Sequence, residues 1–231
     1  MDASYLQNIV RLRAVAQALK PLDQKVVFVG GATIALYANP ETAMEVRPTD
    51  DIDVVVELAT YGSYAKLEER LREIGFVNDV EAKVVCRYKV QGITVDIMPT
   101  DPKVIGFSNK WYPVGFSKAV LHDLTERESI YIFPLEYLVA TKLEAFFSRG
   151  KTDFIFSRDF EDLVYLFENA EGIENALLNS ASDVKEFLTS GFQLLLQHQD
   201  FEEGLLAHLH PDHASFQVTR INDMLNRLLS R

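Results

Sequence analysis

The sequence predicts an α/β (α+β) fold, a small mixed β-sheet with flanking helices followed by a helical C-terminal region, on three observations. Short apolar runs rich in β-branched residues, VVFV, IDVVVE and ITVDIM, are bounded by Gly, Pro or Asp, as strands are. Two β-rich runs, AKVVCRYKV and ITVDIMP, are separated by Gln91-Gly92 alone, which is a hairpin signature. After Arg158 the apolar residues recur at helical spacing instead. At 231 residues, 48% of them hydrophobic, the chain is long enough for one large core or two small ones. The change of pattern suggests a division into residues 1–133, which hold the sheet, and residues 134–231, which are helical.

Each element has its own signal. Ser4 is placed to cap a helix from about Tyr5 to Leu19, with Leu6, Ile9, Val10 and Leu12 as its apolar face and Lys20-Pro21 as its stop. Val26 to Val29 reads as a buried strand that runs into Gly30-Gly31 and a short helix, Ala32 to Ala38. Asn39-Pro40 ends that helix, and Glu41 to Asp50 lacks periodicity. Ile52 to Glu57 reads as a second strand, and Thr60 or Ser63 starts a charged helix ending at Gly75. Pro99 to Val120 gives no pattern. Ser129 to Phe133 is a further strand, and Pro134 suits the first position of a helix ending before Gly150. Later helices are expected at 159–168, about 173–180, 183–198 and about 214–230.

Composition bounds the function. One cysteine, Cys86, allows no internal disulfide and suggests a reducing, cytoplasmic setting. No apolar stretch approaches the ~20 residues of a membrane span, and the amino terminus lacks a signal-peptide pattern. The net charge of -11 opposes a polyanionic partner. The charge is uneven, however: from Asp159 onward there are thirteen acids and four bases, and the remainder is nearly balanced. Broad, nonspecific nucleic-acid binding is therefore not expected.

Chemistry is concentrated in VFVGGATIAL, PTDDIDVVVE and GITVDIMP. A strand that turns through Gly30-Gly31 into a helix exposes backbone N–H groups, and glycine lets a phosphate approach closely. Thr33 adds a hydroxyl. Asp51 and Asp53, two apart on a strand, share a face with Cα atoms roughly 6.6 Å apart. Asp96 lies mid-strand, where acids are depleted. A solvated strand end or a basic partner would explain these acids without function. Together, three carboxylates on two strands suit a pair of Mg²⁺ or Mn²⁺ ions, because the donors are hard oxygens with no Cys or His thiolate or imidazole among them.

Gly30-Gly31, Asp51-x-Asp53 and Asp96 resemble the signature of the DNA polymerase β-like nucleotidyltransferase superfamily, over most of the chain to about Phe167. The nineteen residues between Gly31 and Asp51 exceed the motif's usual spacing. The extra length is the Asn39–Thr49 loop, which can span up to about 36 Å. Arg47-x-Thr49-x-Asp51-x-Asp53, Lys142-Leu143-x-Ala145 with Arg149, and Arg158-Asp159-x-x-Asp162-Leu163 resemble the AbiEii/AbiGii-type nucleotidyltransferases, many of them toxins of toxin–antitoxin pairs.

The resemblance implies a magnesium-dependent nucleotidyltransferase in which Asp51, Asp53 and Asp96 are catalytic and bind metal. It implies nucleotide binding by Gly30, Gly31, Thr33, Arg47, Lys142 and Asp159, the last two contributed by the helical region. It further implies a nucleoside triphosphate substrate, an RNA (such as tRNA) or protein acceptor, and a cognate antitoxin. A small-molecule acceptor, or a degenerate binding module, is the alternative.

The later motifs also have bland readings. Leu135, Leu138, Lys142, Ala145 and Arg149 form a helical stripe in which Lys142 either snorkels or faces an anion. Lys142, Arg149, Lys151 and Arg158 form a local basic excess. Asp159 could serve only as a helix cap, with Asp162 in the first turn. His208, His210 and His213 around Pro211 read as a polar turn, and Trp111-Tyr112 and Phe146-Phe147 as core.

Overall fold

The computed structural model describes residues 3–39, 41, 45–58, 60–82, 84–149 and 153–230. It confirms the mixed α/β class. Two compact units are present, Met1–Thr33 with Glu45–Pro134, and Ile34–Met44 with Leu135–Arg231.

The first unit is built on seven strands: β1 Val26–Val29, β2 Asp51–Val56, β3 Val77–Asn78, β4 Arg87–Val90, β5 Ile93–Pro99, β6 Val120–Thr125 and β7 Glu128–Ile132. Their order is β3-β4-β5-β2-β1-β7-β6. β2 is therefore central, antiparallel to β1 and parallel to β5. Ile52, Val54, Val55 and Val56 on β2 and Val95 and Ile97 on β5 are fully buried. Each such side chain contributes roughly 1.5–3 kcal/mol relative to exposure. This apolar body fixes the polar side chains that remain partly open on these two strands, Asp51, Asp53, Thr94 and Asp96.

Gln91 and Gly92 both have positive φ, 51° and 77°, as a two-residue type I′ hairpin turn requires. That turn sets the register of β4 on β5, pairing Val90 with Ile93 and Arg87 with Asp96. The hairpin's first strand starts only at Arg87, later than expected, since Val84 to Cys86 form turns. β6 was not anticipated. It is an edge strand with no buried residue, so it lacks the alternation that marks a strand in sequence.

Helix α1, Ala3–Leu19, buries Asn8, Leu12, Val15 and Leu19. Its inward face is rotated from the expected one, and Leu6 and Val10 are exposed. The polar contacts explain the phase: Thr49 Oγ1 donates to Asn8 Oδ1 at 3.2 Å, and Arg11 bonds the carbonyls of Thr49 and Asp50. Ser4 lies inside α1, which begins earlier than expected, at Ala3. Helix α2, Tyr61–Glu73, is capped by Thr60 in a reciprocal capping box with Ser63. The patternless stretch contains two short helices, α3 Pro102–Ile105 and α4 Tyr112–Lys118, with Trp111 buried at the start of the latter.

The short helix expected after Gly30 is present in 3-10 form, Gly31–Tyr37. The second unit is helical: α5 Leu135–Arg149, α6 Arg158–Asn169, α7 Ile173–Leu178, α8 Ser182–Gln197, α9 Phe201–His208 and α10 Ala214–Leu229. Helix α9 falls between the helices expected at 183–198 and about 214–230. Phe146, Phe154, Phe160 and Phe201 stack edge-to-face or tilted, forming its aromatic core. His208 Nε2 pairs with the Phe154 carbonyl at 2.9 Å, so this histidine belongs to the packing of α9. Among the described residues, no helix is long and apolar enough to cross a membrane.

Candidate active site

The sheet brings Asp51, Asp53 and Asp96 onto neighbouring strands. Asp53 and Asp96 are direct partners in the parallel β2–β5 pairing, and Asp51 pairs with Thr94. All three are partly exposed, while the apolar residues between them are buried. The carboxylates thus rise from one face of a rigid sheet.

Across the hairpin, Arg87 supplies a residue that motif reading missed. Its Nε donates to Asp96 Oδ1 and its Nη2 to Asp96 Oδ2, both at 2.8 Å, and Nη2 also reaches Asp51 Oδ2 at 2.8 Å. Hydrogen bonding to Asp96 holds the guanidinium still more firmly protonated than usual, against the opposing effect of its burial. Without a cation, such neighbouring acids would repel one another. The signal was present in the sequence: counting outward from Gln91-Gly92 places Arg87 opposite Asp96. Behind this group, burial and, next in size, the Asp96 charge push the Cys86 thiol up to about 12.

Gly30, at φ 77°, closes the site from β1. A methyl group placed there would overlap Asp53 Oδ2 and lie 2.7 Å from its Cγ. Asp53 therefore packs directly on the glycine. A methyl group at Gly31 would lie 2.6 Å from Arg47 Nη2 and 2.8 Å from Thr49 Cγ2, so the Arg47 guanidinium lies against this turn. Thr33 is fully buried, and its hydroxyl donates to the Gly30 carbonyl at 2.9 Å, bracing the turn from within. The turn that follows is a seven-residue 3-10 helix, tighter than an α-helix. Arg11, also missed, fixes the backbone that enters β2 at Asp51.

In the helical unit, Lys142 on α5 reaches Asp162 Oδ2 at 2.6 Å and Asp159 Oδ1 at 3.3 Å. Arg149 reaches the other oxygen of Asp159 at 3.1 Å. Lys142 and Asp162 are 8% and 2% exposed, so this is a buried pair and not a snorkelling lysine. Ser157 caps α6, its side chain accepting from the Phe160 N–H at 3.3 Å, and Asp159 occupies the first turn instead of the cap. Lys151 lies outside the described residues.

Carboxylates are hard oxygen donors of the kind a divalent cation takes, and here those of Asp51 and Asp96 converge on the Arg87 guanidinium. In the arrangement observed, no group of three or more His, Cys, Asp or Glu among the described residues is spaced to hold a metal ion directly.

The fold resembles JHP933 from Helicobacter pylori, with a TM-score of 0.53 and 14% identity over 100% of this chain and 94% of that one. It also resembles a candidate nucleotidyltransferase from H. pylori, with a TM-score of 0.54 and 14% identity over 100% and 96%. At such identity these likenesses speak for the fold alone. No curated protein matches the sequence. The family model described as "Nucleotidyl transferase AbiEii toxin, Type IV TA system" matches residues 13–219, a span that contains Asp51, Asp53 and Asp96. The chain belongs to the AbiEii nucleotidyltransferase family of type IV toxin–antitoxin systems.

Proposed function

We propose that this nucleotidyltransferase carries out a Mg²⁺- or Mn²⁺-dependent transfer of a nucleotidyl group from a nucleoside triphosphate to a hydroxyl or phosphate of an RNA, such as tRNA, or of a protein. The observation that carries the reading is the alignment of Asp51, Asp53 and Asp96 on adjacent strands beside a glycine turn. In the reaction, an acceptor oxygen bonds to the α-phosphorus, the bond from that phosphorus to the bridging oxygen breaks, and pyrophosphate leaves with the electron pair. A bound divalent cation supplies charge neutralisation for the triphosphate and for the leaving pyrophosphate.

The chain's own residues have distinct tasks. Asp51 and Asp53 would hold the cations, and Asp96 would hold one of them and orient or accept the acceptor's proton. Gly30 and Gly31 let Asp53 and Arg47 pack against the turn that would hold the β- and γ-phosphates, and Thr33 keeps that turn in shape. Arg47, against Gly31, would balance phosphate charge. Lys142 and Asp159 enter the proposal as nucleotide-binding residues of the helical unit on the strength of the family resemblance.

The test incubates the purified chain with Mg²⁺, each labelled triphosphate, and total cellular RNA or lysate. Label on RNA, with binding that weakens steeply as salt rises, supports a nucleic-acid acceptor. Label on protein selects the other macromolecular acceptor, and label only on small molecules overturns both. Expression of wild type and Asp51→Asn in cells tests toxicity, which the toxin reading requires of the wild type alone.

A further inference from the structure

We infer that Arg87 is the resident counter-cation of the carboxylate cluster: it holds Asp51 and Asp96 in place in the metal-free protein and gives up Asp51 when a divalent cation enters. This rests on the reading of those acids as cation ligands. One nitrogen, Nη2, lies 2.8 Å from Asp51 Oδ2 and 2.8 Å from Asp96 Oδ2. Both oxygens therefore point at a single positive centre, as they would at a metal. A magnesium ion draws its oxygens to about 2.0–2.1 Å in octahedral geometry. The guanidinium and the ion cannot both occupy that space, so they compete.

The contacts indicate which bond yields. Arg87 grips Asp96 in a two-pronged pairing through Nε and Nη2, but touches Asp51 through one nitrogen. The hairpin register sets Arg87 opposite Asp96, and the type I′ turn four residues on holds that register. Asp51 belongs to β2, separated from β4 by β5. The Asp51 bond is thus the longer reach and the one lost first. With 31% of its side chain exposed, Arg87 has room to withdraw toward solvent. A retained bond to Asp96 would orient that carboxylate, which makes Arg87 a positioning residue.

The experiment uses the full chain without nucleotide and measures Mn²⁺ binding by electron paramagnetic resonance for wild type, Arg87→Gln, Arg87→Lys and Asp51→Asn. It adds thermal melting with EDTA and with Mn²⁺. Arg87→Gln is expected to bind Mn²⁺ about tenfold more tightly than wild type, since a charge-assisted hydrogen bond no longer has to be broken. It should melt below wild type in EDTA and regain stability with Mn²⁺. Arg87→Lys, which offers one point charge and no two-pronged grip, should fall between the two, and it decides the question if Arg87→Gln fails to fold. If wild type binds Mn²⁺ better than Asp51→Asn but neither Arg87 variant binds more tightly than wild type, the inference is overturned and the carboxylate reading stands. If wild type binds no better than Asp51→Asn, and removing Arg87 changes nothing, the carboxylate reading fails and this inference with it.

Discussion

The Asp53 carboxylate lies directly against the backbone of Gly30, with no space between them for a methyl group. Gly30 also has φ 77°, a region that costs an L-residue about 1–2 kcal/mol. Gly30→Ala should therefore lower stability by roughly that amount and displace Asp53, cutting nucleotidyl transfer by ~10-fold or more. Gly31→Ala also meets Arg47 and the buried Thr49, but carries no positive-φ strain, so its loss of stability should be the smaller. Denaturant midpoints and turnover measured on both variants check the difference.

Lys142 and Asp162 form a buried pair in the helical unit. Asp162→Asn should destabilise that unit by about 3–5 kcal/mol, because it leaves a buried ammonium short of its nearest counter-charge. Replacing both, as Lys142→Met with Asp162→Leu, should recover much of the loss. Urea unfolding of the single and double variants measures it.

Cys86 is buried, with its thiol pushed up from an ordinary 9.0 to about 12. The native chain should resist iodoacetamide at pH 9 and react rapidly once unfolded. The sign of the stability effect follows from the raised value. The unfolded thiol ionises first, so the thiol's contribution is intact below about pH 9 and declines as pH rises toward about 12. Cys86→Ala should flatten that decline in a stability profile.

What could be read in sequence followed from local rules. The Val26–Val29 strand, the Gln91-Gly92 hairpin and the helix after Pro134 each carry their own turn or cap chemistry, and all appear in the structure. Asp51, Asp53 and Asp96 were legible because acids are out of place beside buried valines. Contacts distant in sequence were less accessible. The phase of α1 is set by Asn8 and Arg11 reaching Thr49 and Asp50, about forty residues on, and hydrophobicity alone put Leu6 and Val10 on the wrong side. Edge strand β6 has no buried face to mark it. The partner of Lys142 was hidden for a related reason, since Asp162 resembled an ordinary first-turn acid until α5 and α6 were packed together.

By the proposed function, Asp51 and Asp53 act in nucleotidyl transfer through a divalent cation. The most direct measurement is the rate of label transfer from a nucleoside triphosphate to the identified acceptor, for wild type, Asp51→Asn and Asp53→Asn, with and without Mg²⁺. Each variant, like wild type in EDTA, should lose about three orders of magnitude or more while keeping a native circular dichroism spectrum. Folded variants that turn over at the wild-type rate would rule out this role for the two carboxylates.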